Sequence, residues 1–328
     1  ILRFGGYLAT YTEEDPTGRT RTGIELVRDT AQQYSVNPRL LLALLEYQSQ
    51  WVANPNPDAS TLAYPMGLNV LGYEGLRRQL RWAANQLNSG FYGWRIANSP
   101  ITQNSPPLTA LLPADGNRRL IAPTLNSGTV GLEAFFAPVS NADQWEYHLS
   151  SVGFTLTYAT LFGDPFQHTY EPLVPPDLTQ PELLWPWDTT RQWFFTGGPH
   201  GGWDTGSPRS ALDFAPPSAI EGCYDSPEWV LASAAGRIVR AEDGAVVQDL
   251  DDDGFEQTGW VLFYMHIATD DDRVNVGAYL EPGDRIGHPS CEGGFSNGTH
   301  LHFARKFNGV WLAVNDPFVP FDIEGWQL

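Results

Sequence analysis

The chain is short of positive charge. Its 328 residues hold 19 Lys and Arg against 38 Asp and Glu, a formal net charge of −19, and Lys306 is the only lysine. Nucleic-acid binding rests on basic side chains that displace counterions from phosphates, so we expect no nucleic-acid partner. The acidity favours solubility but does not identify a partner.

Long apolar runs are also missing. None approaches the ~18–20 residues that span a bilayer. The longest candidate, residues 40–45, is followed by Glu46 and Gln48 and predicts a buried helix instead. Since hydrophobic residues make up 42% of the chain, as in ordinary folded domains, we expect a globular protein with no membrane-spanning segment.

Cysteine is rare: Cys223 and Cys291 are the only two. They are either two reduced core thiols or one disulfide. Their Gly- and Pro-rich surroundings favour the disulfide and an oxidising compartment. No signal peptide is visible, and Ile1 is not an initiator, so we expect that an upstream signal has been removed. The expected location is extracellular or in the cell envelope.

The first half of the chain is predicted to be helical. Apolar residues recur at intervals of three and four, and Gly90 just past the third stretch is a common stop signal. Residues 98–123, rich in Pro, Asn and Ser, are predicted to form an extended surface loop. The predicted helical stretches are residues 22–34, 38–52, 73–88, 129–137 and 142–162.

The second half is predicted to be an antiparallel β domain. Residues 171–182 contain four prolines and no periodicity, which indicates a linker. Beyond it, short β-rich runs alternate with Gly and Asp turns. The expected fold class is therefore α+β, with a helical domain at 1–170 and a β-sheet domain at 183–328. The predicted strands are residues 229–234, 236–241, 260–267 and 301–307.

Four histidines and one aspartate of the β domain form the strongest chemical signal. His300 and His302 are two apart in a predicted strand, so both point to one sheet face. His200 lies in the glycine-rich segment 197–202, and His266 ends a strand. Asp213 stands among apolar residues, where a carboxylate is costly unless it is paired or binds a metal.

These blocks resemble the lysostaphin-type zinc endopeptidases, in particular the branch of the staphylolytic elastase-like proteases. Four blocks match in order: the His of a Gly-rich loop, an Asp thirteen residues later, a Tyr-x-His strand end and a His-x-His strand. The shorter-spaced branch has the first His and the Asp only about four residues apart, so the resemblance is to the longer-spaced one. It covers residues 185–318, including the turn-and-strand segment 283–287.

The resemblance implies a zinc endopeptidase that acts on cell-wall peptidoglycan peptides. His200, Asp213 and His302 would bind zinc, which leaves the fourth tetrahedral position for a water whose pKa falls towards ~7. His300 would be the general base and His266 would donate a hydrogen bond to the oxyanion. There is no His-Glu-x-x-His segment, and all five positions are present, so we expect activity.

The alternative for any histidine is a purely structural role. We expect that role for the three histidines that have no partner pattern, His148, His168 and His288.

Residues 249–254 copy the first half of a calcium loop. Asp249, Asp251 and Asp253 occupy positions 1, 3 and 5, and Gly254 occupies position 6. Position 12 is Trp260 instead of a bidentate Glu. Calcium at this loop is therefore one hypothesis, and a solvated acidic turn is the other.

Residues 36–49 resemble the opening of the lytic transglycosylases, a family with a lysozyme-like fold. That family has its catalytic Glu directly before the Ser, whereas here Gln48 precedes Ser49. Glu46 does not replace it, because two residues along a helix rotate a side chain by about 200°. We interpret this domain as non-catalytic.

Two other functions stay open at this point: a cell-wall glycan-binding protein with a vestigial zinc site, and a glycosidase that acts through the helical half. The sequence does not indicate the oligomeric state or the scissile bond.

Overall fold

The computed structural model describes residues 4–97, 108–167, 172–218 and 220–328. The chain divides into two compact units, Ile1–Thr169 and Tyr170–Leu328. Residues 172–182 form neither helix nor strand, and we propose them as the linker between two domains. Within the described ranges, no helix combines the length and the apolar character needed to cross a membrane.

The N-terminal unit is helical. Two short hairpins accompany the helices: β1 (Thr12–Glu14) with β2 (Thr20–Thr22), and β3 (Ala110–Leu111) with β4 (Arg119–Leu120). Among its described residues, the α-helices are α1 (Gly23–Tyr34), α2 (Pro38–Ser49), α3 (Leu76–Ala97), α4 (Ser127–Phe136), α5 (Ala142–Leu149) and α6 (Phe154–Phe162).

The starts of α1 and α2 follow from local sequence. The Thr22 hydroxyl caps α1 by accepting from the Glu25 N–H, and the Glu25 carboxylate accepts from the Thr22 N–H, which makes a capping box. Asn37 caps α2, and Pro38 follows at the first turn, where its missing N–H costs nothing. The predicted buried apolar run of α2 is confirmed from Leu41 to Leu45.

Three predictions for this unit are wrong. Gly90 does not end α3, which continues to Ala97; a Cβ at Gly90 would lie 2.5 Å from the Val130 carbonyl oxygen, so the glycine allows α3 and α4 to pack closely. The stretch 142–162 is two helices instead of one. Gly153 lies between them, where a Cβ would be 2.3 Å from the Tyr147 carbonyl oxygen.

The third concerns the predicted loop 98–123, which contains the β3–β4 hairpin. Its residues 98–107 lie outside the described residues, as does His168.

The C-terminal unit contains an eight-stranded antiparallel sheet, as predicted. Its order is β11-β8-β9-β10-β13-β6-β5, with β14 paired to β13, while β7 and β12 form a separate pair. The strands are β5 (Phe194–Gly201), β6 (Arg209–Ala215), β7 (Val230–Leu231), β8 (Gly236–Glu242), β9 (Ala245–Asp249), β10 (Trp260–Met265), β11 (Tyr279–Leu280), β12 (Arg285–Gly287), β13 (Leu301–Phe307) and β14 (Val310–Trp311).

The two faces of the central strands differ: one packs in the hydrophobic core and the other carries His302. On β13, Leu301 and Phe303 belong to the hydrophobic core, together with Leu212 and Phe214 of β6. Because side chains alternate along a strand, His302 and its partner on β6 lie on the opposite face. The predicted strand 229–234 shortens to two residues, and the predicted strand 260–267 ends at Met265.

Candidate metal centre

The register of two adjacent strands brings the first two predicted metal ligands together. His302 on β13 lies directly opposite Asp213 on β6. Nδ1 of His302 is 3.4 Å from Oδ1 of Asp213. Both side chains are largely enclosed, with 5% of His302 and 16% of Asp213 exposed.

The third predicted ligand comes from the irregular strand β5. The pairing of β5 with β6 shifts between Gly197 and His200. Gly198 has a φ of +113°, and a Cβ there would lie 2.7 Å from the Ala211 carbonyl oxygen, so the turn needs glycine. The shift brings Nε2 of His200 to 2.7 Å from Oδ2 of Asp213.

Main-chain carbonyls orient both ligand imidazoles. Nε2 of His302 donates to the Gly202 carbonyl (3.0 Å), and Nδ1 of His200 donates to the Gly201 carbonyl (3.2 Å). Since the other nitrogen of a neutral imidazole carries the lone pair, the nitrogens that can bind a metal are Nδ1 of His302 and Nε2 of His200, and both face Asp213. Such outer contacts are typical of metal-binding histidines.

The electrostatics of the three residues suit a metal site. Burial acts to raise the pKa of Asp213, but the hydrogen bond with His200 and the charges of His302 and His300 outweigh it and hold the pKa well below its usual range. The hydrogen bond with Asp213 raises the pKa of His200, whereas burial lowers the pKa of His302. A carboxylate and a neutral imidazole are the forms that bind metals, and the lowered pKa values of Asp213 and His302 favour them. The raised pKa of His200 comes from the hydrogen bond with Asp213, which a bound cation would replace.

One ligand atom from each of these residues lies within 4.8 Å of the other two. Oδ1 of Asp213 is buried and has no hydrogen-bond partner among the described residues. A buried carboxylate oxygen without a partner is costly, and a cation between the three side chains removes that cost. The residues therefore fit a metal ion, and a set of two imidazoles and one carboxylate with an open fourth position is typical of catalytic zinc.

His266 and His300 lie beside this cluster. Their ring centroids are 4.4 Å apart, and Nε2 of His300 is 3.5 Å from Oδ2 of Asp213. Nδ1 of His300 donates to the Gly298 carbonyl (2.7 Å), and Nδ1 of His266 donates to the Glu292 carbonyl (2.8 Å). Burial, followed by the charge of His300, lowers the pKa of His266 to about 4.

Comparison with known proteins follows the same division of the chain. The family model described as "LasA, N-terminal domain" matches residues 3–176, which is more than half of the chain. The chain belongs to the LasA family. Protease LasA of Pseudomonas aeruginosa strain UCBPP-PA14 is 26% identical over 313 residues, which cover 88% of this chain and 68% of the relative. Protease LasA of strain PAO1 matches to the same extent.

Solved structures of M23 peptidases resemble the chain over a smaller part. The M23 metalloprotease pseudoalterin from the deep sea is 26% identical, with a TM-score of 0.34, over 42% of this chain and 78% of that chain. The catalytic domain of lysostaphin from Staphylococcus simulans is 25% identical, with a TM-score of 0.27, over 38% of this chain and 90% of that chain.

The LasA relationship confirms the predicted lysostaphin-type family and fold class. This member of the LasA family is a metallopeptidase. The helical unit is a LasA N-terminal domain; its resemblance to the lytic transglycosylases stays a prediction.

The Cys223–Cys291 disulfide is formed, so the prediction of one disulfide is confirmed over two reduced thiols. The bond joins the segment before β7 to the loop that follows β12. That loop contains Glu292 and Gly298, whose carbonyls contact the two histidines. Sequence reasoning missed these contacts, because a main-chain carbonyl leaves no signature in residue type.

The remaining described histidines make structural contacts, in keeping with the expectation. Nδ1 of His288 donates to the Glu228 carbonyl (2.9 Å). His148 stacks on Phe136, and its Nδ1 is 2.7 Å from the Tyr47 hydroxyl.

In the LasA N-terminal domain, Glu46 has a structural role. Its carboxylate accepts hydrogen bonds from the main-chain N–H groups of Val52 (2.9 Å) and Ala53 (3.0 Å) just after α2. Gln48 lies against Gly67, where a Cβ would be 3.2 Å from its amide. Neither arrangement provides a free carboxylic acid at this helix.

The acidic loop after β9 brings Asp249, Asp251 and Asp253 close enough to hold an ion. Asp249 is buried, and burial, followed by its hydrogen bond with Asp251, raises its pKa to about 6. Its carboxylate already accepts from the Gly254 N–H (2.8 Å). Asp252, which lies between Asp251 and Asp253 in the sequence, forms an ion pair with Arg237.

Proposed function

We propose that this chain is a zinc endopeptidase that hydrolyses peptide bonds of bacterial cell-wall peptidoglycan, with zinc bound by His200, Asp213 and His302. The observation that carries the proposal is that ligand atoms of His200, Asp213 and His302 lie within 4.8 Å of one another, while the buried Oδ1 of Asp213 has no hydrogen-bond partner among the described residues. Membership of the LasA family supports the peptidase activity. The substrate class rests on the lysostaphin-type set of motifs.

The ligand side chains would be held ready by the protein itself. The carbonyls of Gly201 and Gly202 hold the other ring nitrogens, so that Nε2 of His200 and Nδ1 of His302 face Asp213, where they would bind the metal. When bound, zinc supplies Lewis acidity, which makes water more acidic and polarises a peptide carbonyl. Proton transfer and oxyanion stabilisation are assigned to side chains of the protein, His300 and His266.

His300 is the proposed general base. Its Nδ1 proton is held by the Gly298 carbonyl, so Nε2 carries the lone pair and accepts a proton. That nitrogen lies 3.5 Å from Oδ2 of Asp213, whose negative charge stabilises the imidazolium that forms. The same nitrogen can return the proton to the amine that leaves.

His266 presents the same arrangement, because its Nδ1 proton is held by the Glu292 carbonyl. In the neutral ring Nε2 is therefore an acceptor. Donation from Nε2 to an oxyanion requires a second proton on the ring. We propose that this proton is the one that His300 takes from the attacking water: it passes to His266, whose ring centroid is 4.4 Å from that of His300, and returns through His300 to the leaving amine after His266 has stabilised the oxyanion. His266 therefore starts the cycle neutral, as its lowered pKa favours.

We also propose a secreted location, in the extracellular space or the cell envelope. The disulfide between Cys223 and Cys291 supports it, since disulfides persist in oxidising compartments. The calcium hypothesis for Asp249, Asp251 and Asp253 stays a prediction. Calorimetry with calcium chloride and the purified protein tests it, and the absence of heat at millimolar calcium would reject it.

Product analysis separates the candidate functions. Purified peptidoglycan is incubated with the zinc-loaded protein, and the released fragments are analysed by mass spectrometry. New amino termini in stem or bridge peptides are the expected result. New sugar ends would move catalysis to the helical unit, and no fragments at all would favour a glycan-binding protein with a vestigial zinc site.

A further inference from the structure

One loop contacts both proposed catalytic histidines. We name residues 290–298 the clamp loop. Its carbonyl at Glu292 accepts from Nδ1 of His266, and its carbonyl at Gly298 accepts from Nδ1 of His300. Both Ser290 N–H (2.6 Å) and Ser290 Oγ (3.1 Å) donate to the His266 main-chain carbonyl.

The side chain of Glu292 ties the clamp loop to the chain that follows His266. Its carboxylate accepts from the Thr269 N–H (2.9 Å) and from the Thr269 hydroxyl. The same hydroxyl accepts from Arg273 (3.0 Å). Glu292 therefore holds the ring of His266 through its carbonyl and a segment three residues later through its carboxylate.

The glycines after Glu292 bring the loop against the histidine. A Cβ on Gly293 would lie 2.4 Å from the Asp243 carbonyl oxygen, and one on Gly294 would lie 3.8 Å from Cε1 of His266. Both glycines have positive φ, +73° and +56°, and His266 itself has a φ of +66°. The loop backbone is thus placed directly beside the imidazole, in conformations that ordinary side chains rarely adopt.

We propose that Glu292 is a positioning residue for His266. Its carbonyl fixes the tautomer with the proton on Nδ1 and the lone pair on Nε2, and its carboxylate keeps the carbonyl in place. This inference rests on the proposed function, because it acts through the part that His266 takes in the reaction. Nothing in the side chain of Glu292 has to touch the substrate.

Exposure makes the idea testable. Glu292 is solvent-exposed, so its truncation leaves the core intact and the variant is expected to fold. Glu228 is a control with the same two kinds of contact, although only 16% of its side chain is exposed: its carbonyl also accepts from a histidine, Nδ1 of His288, and its carboxylate also binds a neighbour, Arg191. His288 has no part in the proposed chemistry.

The experiment combines kinetics with ring nitrogen NMR on zinc-loaded protein, with purified peptidoglycan as substrate. Glu292→Ala is expected to lower kcat roughly tenfold with little change in KM, the lower end of the range for outer contacts, and to mix the two tautomers of His266. Glu292→Gln, whose amide oxygen still accepts from Thr269, is expected to restore most of kcat. Glu228→Ala is expected to match the wild type.

A double-mutant cycle separates this inference from the function it rests on. His266→Ala with Glu292→Ala is expected to be no slower than His266→Ala alone. The inference is overturned if the double variant loses kcat by the product of the two single-variant factors. It is also overturned if Glu292→Ala keeps the wild-type kcat and an unchanged His266 tautomer. If His266→Ala alone keeps the wild-type kcat, the proposed role of His266 is wrong. The ring nitrogen spectrum of His266 in Glu292→Ala, compared with that of the wild type, then decides whether Glu292 fixes the tautomer.

Discussion

His302 and Asp213 face each other across the pairing of β13 with β6, with Nδ1 of His302 3.4 Å from Oδ1 of Asp213. The pairing register of the two neighbouring strands fixes this separation, so it places two of the three proposed metal ligands. His200, on the irregular strand β5, completes the group. The site therefore combines a fixed pair with a ligand that depends on a glycine-rich turn.

The first prediction concerns zinc affinity. Asp213→Ala removes the carboxylate that both flanking histidines face, and we expect zinc affinity to fall by more than the roughly 10–100-fold typical of losing an outer contact. Competition with a chromophoric chelator measures it. Asp188→Ala, at an exposed carboxylate, is the control. Equal affinity of both variants and the wild type would show that zinc binds elsewhere.

The second prediction concerns three buried charges of the β domain. Glu256 accepts from Arg240 (3.0 Å) and Lys306 (2.9 Å), and all three side chains are buried. Burial acts to raise the pKa of Glu256, but the two cations outweigh it and hold the pKa at about 2. Its stabilising contribution is therefore complete above its ordinary pKa of 4.5 and is lost as the pH falls towards 2.

Glu256→Ala leaves two buried cations without their anion. We expect a loss of about 3–5 kcal/mol in the free energy of unfolding, measured by chemical denaturation at pH 7. Glu281→Ala, at an exposed carboxylate, serves as control. A Glu256→Ala protein as stable as this control would contradict the interpretation.

The third prediction concerns Glu133 in the helical unit. Glu133 is 8% exposed, and one of its carboxylate oxygens has no hydrogen-bond partner among the described residues. Burial raises the pKa of Glu133 to about 7. Since the folded pKa lies above the unfolded one, its favourable contribution is present below pH 4.5 and is lost as the pH rises to 7.

Glu133→Gln is expected to remove this loss. At pH 8 the variant should therefore be more stable than the wild type by roughly 3 kcal/mol compared with the difference between the two proteins at pH 4. Urea denaturation at the two pH values measures the change, with Glu146→Gln, at an exposed carboxylate, as control. If wild type and Glu133→Gln show the same pH dependence, Glu133 is not the group responsible.

The fourth prediction concerns the disulfide, which closes a separation of 68 residues. A crosslink over such a loop restricts the unfolded chain, and its loss is expected to cost about 4 kcal/mol. The double variant Cys223→Ser with Cys291→Ser tests it by thermal unfolding of the oxidised proteins. A melting temperature equal to that of the wild type would mean that the bond contributes nothing to stability.

The β-sheet fold could be predicted from the sequence because strand periodicity is a local pattern. The five chemical positions were predicted from the resemblance of their order and spacing to the lysostaphin-type endopeptidases, and the structure brings His200, Asp213 and His302 together. Helix α3 was harder: Gly90 has the local signature of a stop, but close packing against Val130 requires a glycine inside the helix. The contacts of Glu292 and Gly298 could not be predicted from the sequence. The groups that orient His266 and His300 are main-chain carbonyls, which every residue type has.

The sharpest test of the proposed zinc centre compares His302→Ala with His288→Ala. Both histidines donate to a main-chain carbonyl, but only His302 belongs to the proposed metal centre. Mass spectrometry counts the new amino termini released from peptidoglycan over time by each zinc-loaded protein. We expect no release by His302→Ala and wild-type release by His288→Ala; wild-type release by His302→Ala would contradict the proposed zinc chemistry.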